Sequence, residues 1–533
     1  MNVQEAVLQF LAAEGVDTVF SLMAEDNMGF TVTIEEDWSD RIDLVETRHE
    51  QLAVGLADGY SRATDDIGVS IVGRGPAIAQ TGTGLVTARK NDSDLLVIVP
   101  ETPLGASSDI KGFHQEAYLE TMIGEVRSVR STEMLVPTFG EVFRRLRSGR
   151  GPIAVQIPWD LLEESVELPD DWRDSMTIGS DNGSPSGARL TPDLEDVETA
   201  VDLYLESDAS VHAIVLAGRG AVKADAKVAI RKFAEKTGAL LATTVQGHGL
   251  FSDHPFGVGF VGTFGTNLAN EYLTQSDYVL AVGCSLNEHT TDHGRLVDEA
   301  TVVHVDVDPV QIGASTEVDL GIVGDATAEA APLDQGEFSD SEGRADPRKI
   351  IKTLDPILPA KRNIVTDAGH FMNWVLDGMA VPDPTGYEWT SDFGSIGIGV
   401  PISLGMAKAH GSDRMTVLFC GDAGWTMSMQ TVDTAVRYDI SVLMFVMNDG
   451  ALGSEYQQLK SHNLPPDAAV VEAPDIEALA EEFGAEAYSI SSAADLEEIS
   501  DKLDHTPDGP IVVDCKINRD VRHRFYDTGD EVL

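Results

Sequence analysis

The sequence predicts an α/β protein made of three open, parallel-stranded sheet domains. Two features predict it. Short apolar runs recur from end to end and alternate with helix-like or glycine-rich segments, the pattern of parallel strands buried on both faces. Two polar stretches interrupt the alternation, Glu167–Asp193 with its SDNGSPSG and Ala328–Pro347 with its DQGEFSDSEGRADP. Rich in Gly, Ser and Asp and without period, they read as linkers. They leave three blocks, residues 1–165, 190–327 and 348–533, each repeating the same strand and helix grammar.

In chain order, Met1–Phe20 reads as an amphipathic helix running into a strand, with no basic leader region or small-residue cleavage site. The first block then supplies DTVFSL, RIDLV, GVSIV, LLVIV and PIAVQIP as strands. A helix follows Arg48, and its Ala53, Leu56, Ala57 and Tyr60 fall at i, i+3, i+4 and i+7, which places one face against the sheet. The second block supplies HAIVLAG, ALLAT, YVLAVG and TVVHVDV, and the third NIVT, MTVLFC, SVLMFVM and IVVDC.

Asp and Glu number 89 against 37 Lys and Arg, so the chain of 533 residues carries a formal charge of −52. With 42% hydrophobic residues it has ample material for cores, and the acidity is not the signature of disorder. A field of that sign repels polyanions and no basic patch breaks it, which excludes nucleic acid and anionic membranes as partners. The acidic residues are spread through every segment, the pattern of a chain kept hydrated in the molar salt of a halophile's cytoplasm. Cys284, Cys420 and Cys515 each sit in or at the end of an apolar strand-like run, as reduced buried thiols do. No run approaches the ~18 apolar residues of a membrane span. The expectation is a soluble cytoplasmic protein.

The sharpest local signal lies where the run Met415–Cys420 ends in Gly421-Asp422-Ala423-Gly424, with a helix expected from about Trp425. A glycine turn between strand and helix brings backbone N–H groups to a phosphate at the positive helix end, and Asp422 suits a divalent cation shared with the same oxygens. Alone, such a turn is common. The next strand, Ser441–Met447, ends in Asn448-Asp449-Gly450-Ala451. Neighbouring parallel strands end on one edge of a sheet, so Asp422 and Asp449, 27 positions apart, converge there as oxygen ligands. Taken singly, Asp449-Gly450 is as readily a turn dipeptide. In the middle block, Gly218-Arg219-Gly220 is a turn able to meet a nucleotide pyrophosphate, but it lacks the rest of a nicotinamide-binding fingerprint. No His, Cys and Asp set shows metal-ligand spacing; His289 and His293 read as surface loop, and His254 as a structural turn residue.

Together these segments resemble the thiamine diphosphate enzymes of the acetolactate synthase and pyruvate decarboxylase superfamily, whose diphosphate motif is Gly-Asp-Gly followed at this distance by Asn-Asn. The resemblance covers nearly the whole chain. Arg48-His49-Glu50-Gln51 with Ala57-Asp58-Gly59-Tyr60-Ser61-Arg62 is similar to the segment around the family's activating glutamate, which implies Glu50 as the catalytic carboxylate. Gly73-Arg74-Gly75-Pro76 is similar to its glycine-proline loop and Phe113-His114-Gln115-Glu116 to its Phe-Gln-Glu segment, which adds Gly75 to the cofactor site and Gln115 and His114 to the catalytic set. Asp367-Ala368-Gly369-His370 and Gly394-Ser395-Ile396-Gly397-Ile398-Gly399 fall where the family places cofactor loops. The resemblance thus implies thiamine diphosphate on Gly369, His370, Gly394, Ser395, Ile396, Gly421, Asp422, Ala423, Gly424, Asn448, Asp449 and Ala451. Within that set Ile396 is the apolar prop of the bent cofactor, and Mg²⁺ binds Asp422, Asp449 and the Ala451 carbonyl. Two positions depart from the family. Ala423 replaces a glycine, at about 1 kcal/mol if the position needs φ > 0. Asp449 replaces an asparagine, which strengthens cation binding but repels diphosphate.

The resemblance also implies a homodimer or homotetramer, the pyrimidine-binding first domain of one subunit facing the diphosphate-binding third domain of another. Glu50 would share a proton with the cofactor's aminopyrimidine ring, which needs a desolvated carboxyl. The resemblance further implies a 2-oxo acid as substrate, and the overall pattern is most like that of an acetolactate synthase large subunit, which implies decarboxylation and carboligation. Glu455, six residues after Asp449, matches by position a glutamate with which simple 2-oxo acid decarboxylases protonate their intermediate. It keeps open a non-oxidative decarboxylase releasing an aldehyde, although the paired histidines of those enzymes are absent at Pro100-Glu101-Thr102-Pro103. Ala423 and Asp449 keep open a catalytically weak cofactor-binding homologue. FAD, which acetolactate synthases hold in the middle domain with an arginine-rich segment, is the remaining cofactor expectation, and Ser285-Leu286-Asn287-Glu288-His289 there has no arginine.

Overall fold

Apolar runs closed by glycine and polar turns pair into three six-stranded sheets in which every pairing is parallel. The computed structural model of the chain describes residues 1–64, 66–106, 108–176, 194–206, 212–323, 340–341, 343–381 and 383–526. In spatial order the first sheet is Asp43–Glu46, Thr18–Ser21, Gly68–Ile71, Leu95–Glu101, Ile153–Pro158 and Glu125–Ser128. The middle sheet is Gly257–Phe260, Leu240–Thr243, Ala213–Ala217, Tyr278–Val282, Thr301–Asp306 and Leu320–Val323. The third is Tyr387–Trp389, Arg362–Thr366, Met415–Gly421, Leu443–Asn448, Ile511–Lys516 and Glu486–Ile490. Every expected run forms a strand; the five further strands, Glu125–Ser128, Gly257–Phe260, Leu320–Val323, Tyr387–Trp389 and Glu486–Ile490, are all edges.

Counted along the chain within each sheet, the first and third share the order 2-1-3-4-6-5, and the middle one runs 3-2-1-4-5-6, the doubly wound order of dinucleotide folds. Where such an order reverses, a crevice opens at the carboxyl ends of the two strands involved. It lies between Arg362–Thr366 and Met415–Gly421 in the third sheet, between Ala213–Ala217 and Tyr278–Val282 in the middle one, and between Thr18–Ser21 and Gly68–Ile71 in the first.

The helix after Arg48 spans Glu50–Ala63 and is buried all round from Leu52 to Ser61, where one buried face was expected. Glycines explain the difference. A Cβ on Gly59 would lie 2.0 Å from the Ile402 carbonyl oxygen, and one on Gly405 would lie 2.0 Å from that of Leu56. The helix therefore meets helix Gly399–His410 backbone to backbone, and the first and third domains share one core containing Phe20, Leu56, Ile402, Leu418 and Trp425.

The expected linkers need correction at their ends, and their bulk, residues 177–193 and 328–339, lies outside the described residues. Trp172–Met176 is helical, and the Trp172 ring sits 5.2 Å from that of Phe10. Ala345 is buried and bridges to Ile517, and Pro347 begins a helix at Pro347–Leu354. Single apolar anchors pack these stretches although their composition is polar. Cys284, Cys420 and Cys515 are buried and unpaired. Among the described residues no helix is long and apolar enough to cross a membrane.

Candidate active site

The crevice of the third sheet opens into a cavity of about 940 Å³ that reaches the crevice of the middle sheet at Arg219, Gly220 and Gly283. Its wall at the third sheet is made by the turns that follow the strands. Gly421, still extended at φ −80°, ψ 160°, ends the strand Met415–Gly421 and is the N-cap of a helix at Asp422–Ser428, three residues earlier than expected. Ala423 has no positive φ, so the strain considered for it does not arise. The glycine that the packing requires is Gly424, where a Cβ would lie 2.5 Å from Asp367 Oδ2.

Asp367 is fully buried at the end of the first strand of this sheet. It accepts the N–H of Gly397 at 2.7 Å and of Gly399 at 3.1 Å. Burial, against those hydrogen bonds, pushes its carboxyl up to about 6. The loop it holds carries Gly394, left-handed at φ 69°, then Ser395 and Ile396. Gly394 and Ile396 line the cavity, and the Ser395 hydroxyl is buried with no hydrogen-bond partner in the chain.

Asp422 and Asp449 come together at the cavity wall, as the spacing of the two strands implied. They are 4% and 6% exposed, so neither is well hydrated. Burial raises Asp422 to about 6; burial and then the charge of Asp422 raise Asp449 to about 7. Asp449 Oδ1 accepts the Ala451 N–H at 2.9 Å. A Cβ on Gly453 would lie 2.3 Å from Asp449 Oδ2, so only glycine leaves that carboxylate room. Behind the turn stand two guanidinium groups, Arg519 and Arg344, within 2.9 Å and 3.1 Å of where a Gly450 Cβ would be; their charge acts against the rise at Asp449. Asn448, expected at the cofactor, does not line the cavity: its amide donates to Asp514 at 2.8 Å.

His370 lines the cavity beside Gly369 and is packed edge-on against Trp374 and Tyr526. Its Nε2 accepts the His523 N–H at 3.3 Å, and burial, with His523 adding to it, lowers its pKa to about 3, so it is neutral. Glu455 is exposed on the first turn of helix Gly453–Ser461 and lines the cavity. Phe525 and Tyr526 complete the wall and were not foreseen. Phe525 stacks on Phe264 of the middle domain at 4.9 Å, and the Tyr526 hydroxyl bonds to Ser454 at 2.9 Å. The only signal for them was an aromatic pair in a polar chain end.

The first-domain candidates lie elsewhere. Glu50 begins its helix half-buried and accepts Gln80 Nε2 at 3.1 Å. Gln115 is fully engaged within its own domain, donating to Pro100 and Gln156 and accepting the Gly75 N–H at 3.2 Å. That arrangement makes it a brace for the Gly75 turn in this chain. His114 is exposed, beside a shallower recess of about 350 Å³. None of Glu50, Gly75, His114 and Gln115 lines the large cavity.

The residues at the cavity fit a diphosphate with a divalent cation. Two buried carboxylates that repel each other need a cation more than a proton at neutral pH, and oxygen donors suit Mg²⁺. Among the described residues no cluster of three or more His, Cys, Asp or Glu side chains forms a metal site, so backbone and ligand oxygens would have to complete the shell.

Comparison with known proteins bears on the same segments. Residues 1–122 match the family description "Thiamine pyrophosphate enzyme, N-terminal TPP binding domain", residues 206–333 its central domain, and residues 367–515 its C-terminal TPP binding domain. The chain is 27% identical to a probable acetolactate synthase large subunit of Methanocaldococcus jannaschii, over 94% of this chain and 89% of that one. It is 26% identical to the acetolactate synthase isozyme 3 large subunit of Escherichia coli over 88% and 87%. A sulfoacetaldehyde acetyltransferase of Alcaligenes xylosoxydans xylosoxydans is as similar, at 27% over 93% and 89%.

Proposed function

Because the chain belongs to the thiamine pyrophosphate enzymes, we propose that it binds thiamine diphosphate with Mg²⁺, decarboxylates a small 2-oxo acid and joins the remaining acyl unit to a second carbonyl compound, as its acetolactate synthase relatives do by name. The observation that carries the reading is the pair Asp422 and Asp449, two carboxylates raised by burial, the second also by the charge of the first, at the wall of the cavity. When bound, the cofactor supplies an electron sink for the breaking C–C bond.

The chain's own residues have the remaining tasks. Asp422, Asp449 and the Ala451 carbonyl would hold Mg²⁺, and the first turn of helix Asp422–Ser428 would turn its N–H groups, which lack a side-chain cap, to the diphosphate. Ile396 would give the cofactor an apolar wall, to which Phe525 and Tyr526 add two aromatic rings. Glu50 would share its proton with the cofactor ring. Since it stands outside the cavity of its own chain, it serves the cavity of a second copy, and the working unit is a homo-oligomer.

Glu455 favours a second reading, a non-oxidative decarboxylase that releases an aldehyde, because it brings a carboxyl to the cavity. A catalytically weak homologue loses one of its two motives, since Ala423 is unstrained. Little at the middle crevice favours a flavin: Arg219 there acts on Asp392, and the segment 285–289 has no arginine. The dispersed acidity and three buried thiols support a reducing cytoplasm at high salt, where melting temperature should climb steeply with KCl.

Carbon-13 NMR of labelled pyruvate with protein, thiamine diphosphate and Mg²⁺ in molar KCl tests the reading, with the cofactor omitted as control. Cofactor-dependent acetolactate is the expected product. Acetaldehyde alone would replace the carboligase reading by the decarboxylase, and no cofactor-dependent product from pyruvate or larger 2-oxo acids would sink both.

A further inference from the structure

A buried ionic cluster stands where all three domains meet. Arg62, in the last turn of helix Glu50–Ala63, has a side chain with no exposed surface. Its Nε and Nη2 grip the two oxygens of Asp58, each at 2.8 Å. Its Nη1 reaches the third domain, 2.6 Å from Glu388 and 3.3 Å from Asp392 Oδ2. The other oxygen of Asp392 accepts Nε2 of Gln246, from the middle domain, at 2.7 Å. Three carboxylates around one guanidinium leave an excess of negative charge, which the nearby Arg219 of the middle domain offsets in part.

Stability does not account for such a cluster, since apolar packing of equal volume commonly does as well. Its best-attested use is to fix register. The register at stake here is that of a loop. Asp392 lies two residues before left-handed Gly394 and four before Ile396, and Asp367 grips the far side of the same loop through Gly397 and Gly399. The loop hangs between two buried carboxylates. Asp367 ties it to its own sheet, whereas Asp392 ties it to the other two domains.

We infer that Asp392 is a positioning residue: held by Arg62 from the first domain and Gln246 from the middle domain, it sets where Gly394 and Ile396 stand at the cavity. The cofactor loop is in place only when all three domains are docked. Asp392 and Gln246 line the cavity as well, but both Asp392 oxygens are taken up by Arg62 and Gln246, so the part of Asp392 is to hold the loop. The inference rests on the reading that this cavity takes thiamine diphosphate.

The test is the calorimetric affinity of the full-length protein for thiamine diphosphate with excess Mg²⁺ in molar KCl, with the melting temperature measured alongside. Asp392→Asn and Gln246→Leu are compared with Asp355→Asn, which breaks the Asp355–Arg362 pair at the amino end of strand Arg362–Thr366, the edge away from the cavity. Asp392→Asn should weaken cofactor binding tenfold or more and Gln246→Leu severalfold, while Asp355→Asn loses melting temperature and keeps its affinity. Equal weakening in Asp355→Asn would reduce the cluster to a stabilising role and overturn the inference. Unaltered affinity in both cluster variants would overturn it too, with the reading of the cavity still standing. Should Asp392→Asn fail to fold, Gln246→Leu decides, because it removes a single hydrogen bond. An unsubstituted protein that binds no thiamine diphosphate would overturn the reading of the cavity and this inference together.

Discussion

The first and third sheets run in one strand order, yet their equivalent crevices have opposite fates. In the third, the turns after the strands stand back from one another and leave a cavity faced by two buried carboxylates. In the first, the same place is filled. Arg74 lies 3.1 Å from Asp26 and also pairs with Asp109, Lys111 reaches Asp26 at 3.0 Å, and the Gln115 amide braces the Gly75 turn. Topology makes a crevice, and side chains decide whether it holds a ligand. What the first domain offers instead is surface: half-buried Glu50, exposed His114, and the exposed apolar side chains of Ile110 and Phe113. One half is a container, and on the proposed reading the other would cover a container belonging to a second copy.

That contrast can be broken most sharply at Glu50. Glu50→Gln should lower turnover by about 10²–10⁴-fold, the usual worth of a general acid–base group, while leaving calorimetric cofactor affinity and melting temperature as they were. A fully active variant would remove the first domain from the chemistry. On the container side the larger loss is expected from Gly424→Ala, whose methyl would sit 2.5 Å from Asp367 Oδ2. Overpacking of that kind costs about 1–3 kcal/mol. Cofactor affinity should fall with it, because Asp367 holds the Gly394–Gly399 segment.

The carboxylate pair gives the contrast a pH signature. Both groups titrate above the ~3.9 of an unfolded aspartate, Asp422 at about 6 and Asp449 at about 7. The folded chain therefore holds protons that the unfolded chain has lost. The pair's effect on stability is most favourable below about pH 4 and is lost as the pH rises through about 7. A cation replaces the protons. The rise in melting temperature on adding Mg²⁺ with thiamine diphosphate should grow between pH 5 and 8, and Asp449→Asn should flatten that growth. A gain independent of pH in the unsubstituted protein would mean that the cation is held elsewhere.

The sequence was legible where burial is complete and opaque where it is partial. Strands covered on both faces appear as unbroken apolar runs, such as Leu95–Glu101. Edge strands do not: Glu486–Ile490 mixes exposed, half-buried and buried residues, and Gly257–Phe260 interleaves two glycines. Asp422 and Asp449 could be brought together from sequence because adjacent parallel strands end on one edge. The need for Gly424 could not, since it comes from Asp367, far away in the chain. The Arg62 cluster spans 326 residues from Arg62 to Glu388, and no local pattern announces a contact made between domains. Trp172 and Tyr526 were hidden for a related reason: each is an aromatic anchor in a stretch whose composition reads as polar.

The smallest effect is expected at Ala423, and it bears on how far a family pattern can be carried onto this chain. Glycine is the family's residue there, and if the position were left-handed, Ala423→Gly would relieve about 1 kcal/mol. Ala423 is instead inside the first turn of helix Asp422–Ser428, without a positive φ. Glycine in a helix is worse than alanine by about 0.5–1 kcal/mol, so the substitution should lower the melting temperature slightly and leave cofactor affinity within about twofold. A tenfold tightening would show that the methyl crowds the bound diphosphate. The cavity would then be less complete as a container than Asp422 and Asp449 make it, and part of its deficit would lie in this chain's own departure from the glycine pattern.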